Sequence, residues 1–145
     1  MTPVLPDADT LVRLALTAGL AERGITASVW TLWPDDWYTR MPLVVARRVP
    51  GGAAPDPRGL DSATITLTAC ASTRTAASLL ARQVRALLFD RCADQFAAVE
   101  AGGYLSSFGE DSAPVEDRTP GPTLHTDVYR FTGTFRVTTR PLSAA

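Results

Sequence analysis

The chain has 145 residues and a formal net charge of −1, long enough for one domain over 1–145 to bury about 70% of its unfolded surface without disulfide or metal staples. Near-neutrality removes the electrostatic footprint of an autonomous nucleic-acid binder, and ordinary apolar content argues against disorder. Two cysteines, Cys70 and Cys92, are too few and too far apart for a metal motif or a disulfide framework and suit a reducing cytosol.

No basic stretch followed by an apolar run opens the chain, so no signal peptide is expected. No apolar run approaches the ~20 residues that span a membrane. Lysine and asparagine are absent. A GC-rich genome explains both absences, so arginine here cannot be read as chosen over lysine for bidentate contacts.

In chain order, Asp7 or Asp9 caps a first helix running to about Arg23, with Ala8, Leu11, Val12, Ala15, Leu16 and Gly19 on one apolar face. Gly24 supplies its left-handed stop. Residues 28–33 read as a strand, and Pro34-Asp35-Asp36 turns the chain. Two of the three tryptophans, Trp30 and Trp33, are then strand residues, while Trp37 closes a loop over the core. The strand 43–49 is expected to pair with 28–33 as a hairpin. It carries Arg47 and Arg48, which a strand does not need for folding, and breaks at Pro50-Gly51-Gly52. Residues 50–60 read as a stiff Pro/Gly loop, and without a Gly-Lys-Ser/Thr ending it is no phosphate loop.

Residues 63–71 alternate, with Ile65, Leu67, Ala69 and Ala71 on one side and Thr64, Thr66, Thr68 and Cys70 on the other. Ser72 or Thr73 caps a second helix to about Cys92, with a core stripe of Ala77, Leu80, Ala81, Val84 and Leu88. Leu79 and Phe89 lie off that stripe. Gly102-Gly103 precedes a short strand at 104–108. Residues 109–124 are acidic and rich in Pro and Gly, and are expected to be a long mobile loop. The last strand, 128–140, puts Tyr129, Phe131, Phe135 and Val137 on one face and Arg130, Thr132, Thr134, Arg136, Thr138 and Arg140 on the other. Together these predict an α+β fold: one mostly antiparallel sheet with two helices on its apolar face, and a threonine-arginine surface on the other.

Catalytic chemistry is not indicated. His125 beside Asp127 could be tuned as a base, but no nucleophile is spaced to complete a triad. Asp35-Asp36 reads as a turn pair before a metal pair, and the late acidic residues lack calcium-loop spacing. No catalytic, cofactor-binding or metal-ligating residue is therefore assigned.

The element order, the run Pro-Leu-Val-Val-Ala-Arg-Arg-Val-Pro-Gly-Gly at 42–52, Asp-Ser-Ala-Thr-Ile-Thr-Leu at 61–67, the alanine-rich helix 76–88, and Tyr129-Arg130-Phe131 through Arg136-Val137-Thr138 resemble the tail terminator (tail completion) proteins of long-tailed bacteriophages, in versions from phages of GC-rich actinobacteria. The resemblance implies a hexameric homo-oligomeric ring in the virion tail or neck, assembled in the host cytoplasm. Such a ring caps the tail tube, halts polymerisation of the major tail tube protein and meets the head-side connector or stopper protein. It also implies no enzymatic activity, no cofactor, no membrane, and DNA passing through without specific binding. A neck or head-tail stopper protein is the near alternative; a small cytosolic enzyme and a nucleic-acid-binding module are the distant ones. Candidate subunit or tube contacts are Arg47, Arg48, Gly51, Gly52, Leu79, Phe89, Arg130 and Arg136. Strand parity sends Arg47 and Arg48 to opposite faces, with at least one expected to reach a carboxylate, on a neighbouring subunit. The acidic stretch 109–124 departs from the family pattern.

Overall fold

The computed structural model describes residues 2–56, 58–117 and 128–142. Helix α1 spans Ala8–Glu22 and starts where the Asp7 carboxylate accepts the Thr10 backbone N–H. Helix α2 spans Arg74–Ala93, with the Thr73 hydroxyl accepting the Ala76 N–H. Each cap satisfies one donor that a helix leaves orphaned at its start. The strands are β1 (Ser28–Trp30), β2 (Leu43–Asp56), β3 (Leu60–Ala71), β4 (Ala97–Ala98), β5 (Gly103–Glu116) and β6 (Tyr129–Pro141), ordered β1-β2-β3-β6-β5-β4 in one sheet. Every pairing but β1–β2 is antiparallel.

Both helices pack on one face of this sheet, as the shared apolar parity predicts. Leu11, Leu16 and Leu20 from α1 join Val84, Leu87 and Leu88 from α2, and Ile65, Leu67, Phe135 and Val137 from β3 and β6, in one buried cluster. The architecture is α+β.

Three expectations are corrected. The segment 28–33 does not form a hairpin with β2: β1 ends at Trp30 and runs parallel to β2, with Ser28 opposite Leu43. A parallel pair needs a crossover of a dozen or so residues, and 31–42 supplies it. That segment lies over the second face of the sheet, where Trp30, Trp37 and Met41 pack on buried Leu43, Val45 and Cys70. Cys70 thus sits on the face its parity gives, but covered.

Residues 50–60 are not a loop. Strand β2 continues to Asp56 and turns back into β3 at Leu60, with register shifts at 49–52 and 53–56. Beyond Val45, β2 has no strand outside it among the described residues, so Pro50 occupies an edge, where a missing N–H costs no ladder bond. Its neighbour of the same parity, Arg48, gives its backbone N–H to the Asp9 carboxylate, so this stretch of edge is closed to a foreign strand.

Residues 109–116 are the second half of β5 rather than a loop; 118–124 lie outside the described residues. The irregular apolar period that disguises this strand is taken up by three register shifts against β6. Its acidic residues are partnered: Glu110 with Arg85 at 2.6 Å, Asp111 with Arg136 at 2.7 Å and Glu116 with Arg74 at 3.0 Å.

Both thiols are buried, which pushes Cys70 up to about 11 and Cys92 up to about 12 from an ordinary value of 9.0. At pH 8 a thiol reagent is expected to label neither in the native protein and both in urea. The unfolded thiols ionise first, so their contribution to stability is intact below about pH 9 and is lost as pH rises toward 11–12. Rapid native labelling would show that the covering segments open.

Candidate assembly surfaces

Three surfaces gather the candidate contact residues. The first is the sheet face away from the helices. Thr66 stands opposite Arg47 on β2 and Thr134 on β6, and Thr64 opposite Arg136. The Thr68 and Thr132 hydroxyls are 3.2 Å apart and hydrogen-bonded. Arg136 is exposed and paired with Asp111; Arg130 is half-buried at the start of β6. Pairing of Arg136 with Asp111 interrupts what would otherwise be a basic stripe along β6.

The second surface is the far end of the β2–β3 hairpin. Arg47 is exposed there, while Arg48 on the opposite face donates two hydrogen bonds to Asp61 at 2.5 and 2.8 Å. The Arg48 guanidinium is held more firmly protonated by that carboxylate, with Asp9 adding to the effect. The carboxylate that Arg48 reaches thus belongs to its own chain. Gly51 and Gly52 have φ of +126° and +72°. They form the irregularity between Val49, opposite Thr64, and Gly52, opposite Ala63, conformations that side chains rarely adopt.

The third surface is the outer face of α2. Phe89 and Leu79 are 55% and 46% exposed. Phe89 meets Phe108 of β5 edge to face at 5.5 Å, and Phe108 in turn lies 5.7 Å from buried Phe135. A cavity of about 420 Å³ opens here, lined by Arg82, Arg85, Ala86, Phe89, Phe108 and Glu110. Phe108 and Glu110 were not legible as part of this surface, because only the β5 register brings them beneath α2.

Among the described residues, no group of three or more His, Cys, Asp or Glu side chains is arranged to hold a metal ion. His125 and Asp127 lie outside those residues. No helix among them is long and apolar enough to cross a membrane.

The family model described as phage tail termination protein matches residues 4–144. The chain belongs to the phage tail termination protein family. No curated protein matches the chain. Membership makes it a component of the phage tail and places it in a structural family that works among other tail and head proteins.

Proposed function

We propose that this tail termination protein closes into a homo-hexameric ring that caps the finished tail tube, stops addition of further tube protein and offers its other side to the head-side connector. The family match over nearly the whole chain carries the reading. We read 1–145 as a single unit in that ring, supported by the one buried cluster that includes residues of both helices. The assembly setting is the host cytoplasm, and the ring is structural, without cofactor.

Physical features support it. A cyclic ring of one subunit type uses two different patches that meet head to tail, and the molecule exposes apolar groups at separate places. DNA must pass such a ring without being gripped, and a chain of net charge −1 makes few of the phosphate contacts that would hold it. Arg47, the Gly51-Gly52 end of the hairpin, Arg130 and Arg136 are proposed to face the tube or a neighbouring subunit. Arg48 would act there through the strand it braces.

Deleting the gene from the phage is expected to give tails with a broad length distribution running well beyond wild type in negative-stain images. Tails of normal length left unjoined to heads would instead assign the stopper role.

A further inference from the structure

Two exposed apolar patches are left unused by the core. The first lies on the crossover 31–42, where Leu32 and Tyr38 are 64% and 58% exposed and Trp33 is partly so. These side chains stand on a firm base. Trp37 meets Trp33 and Tyr38 edge to face at 5.7 and 6.0 Å and packs on the buried Leu43, Val45 and Cys70. Arg40 bonds Asp36 at 2.8 Å and lies over the Trp30 ring at 5.1 Å. A segment braced in this way loses little freedom on docking.

The second patch is the α2–β5 groove. Leu79, Arg82, Ala86 and Phe89 follow one another at helical spacing along the exposed side of α2. The groove's size, about 420 Å³, falls in the range of about 300–1,000 Å³ that also receives small ligands. Its polar groups, however, do not converge on an occupant: Arg85 and Glu110 are spent on each other.

Two features match the patches to each other. They lie toward opposite ends of the strand order, since 31–42 joins β1 to β2 and the groove is built on β5. A patch and a different complement on one subunit make a heterologous contact, which can close into a ring. The charges also match. Asp35 on the crossover is exposed and meets no cation among the described residues, and Arg82 in the groove donates to the Ser78 carbonyl but meets no carboxylate.

We propose that residues 32–38 of one copy dock in the α2–β5 groove of the next, with Trp33 and Tyr38 against Phe89 and Leu79 and Asp35 beside Arg82. The inference rests on the ring reading and names the contact that builds the ring.

Sedimentation velocity tests it with two variants, Tyr38→Asp and Phe89→Asp, each checked for fold by circular dichroism. Each alone is expected to raise the concentration at half-assembly by at least roughly 30-fold, the size of a hot-spot loss. Mixed one to one, they should form a dimer and nothing larger, because only one intact crossover and one intact groove remain per pair. Trp33→Asp with Leu79→Asp repeats the test should either first variant fold poorly. Assembly surviving in either variant would overturn the proposal while leaving the ring in place, closed elsewhere. Loss of assembly in the groove variant alone would overturn it in favour of groove-to-groove contact. Loss in both without a dimer on mixing would show that the patches do not meet each other. A wild-type chain that stays monomeric at every concentration, with and without tail tubes, would overturn both the contact and the ring.

Discussion

Asp61→Ala is expected to lower stability by about 2–3 kcal/mol, read as a lower urea midpoint at unchanged slope. The Asp61 side chain is 8% exposed and accepts two hydrogen bonds from Arg48. Removing it strands a cation whose side chain is about two-thirds buried. Breaking a buried pair typically costs about 3–5 kcal/mol. The lower figure reflects Arg48, whose side chain keeps a third of its surface in water and so is partly screened. The loss should not stop at one pair. Arg48 also gives its backbone N–H to Asp9 at the start of α1, so this point ties the hairpin to the first helix. Arg47→Ala is the control: exposed and on the other face, it should change stability by less than about 0.5 kcal/mol. If the two variants melt alike, the Arg48–Asp61 bridge is an ordinary surface pair.

The contrast between these adjacent arginines shows what a sequence yields. Their placement on opposite faces follows from strand parity alone. That Arg48's partner is Asp61 does not, because it requires knowing that β2 and β3 stay paired beyond Pro50-Gly51-Gly52. The same divide runs through the fold. Both helices were legible because caps and apolar stripes are local and periodic. Strands β3 and β6 were legible because alternation is local too. The direction of β1 depends on where 31–42 travels, and the length of β5 depends on partners for Glu110, Asp111 and Glu116 that come from α2 and β6. Composition read that stretch as a loop because its proline, glycine and acidic residues promise little apolar burial to offset ordering. Leu79 and Phe89 were visible as exceptions to a stripe. The groove that Phe89 lines was not, since its other wall comes from a strand whose register is irregular.

The glycines after Arg48 offer the sharpest separation of folding from contact. Gly52→Ala is expected to destabilise the isolated subunit by about 3 kcal/mol, from two sources that add. Its φ of +72° places any L side chain in the left-handed region, at a cost of roughly 1–2 kcal/mol. A Cβ there would also lie 2.0 Å from the Ser62 carbonyl oxygen across the hairpin. That oxygen is backbone, so it cannot rotate aside; relief requires shifting β2 against β3 where the register already changes between Val49 and Gly52. Gly59, in the turn of the same hairpin, has open space where a methyl group would stand and no positive φ. Gly59→Ala should therefore be neutral or slightly stabilising, by restricting the unfolded chain. Urea titration of both variants as subunits, followed by their assembly, distinguishes two uses of Gly52. A lower midpoint for Gly52→Ala alone makes the glycine a device of the hairpin, and any assembly defect a consequence of it. An unchanged midpoint with lost assembly would instead make the close approach at Gly52 part of the contact itself.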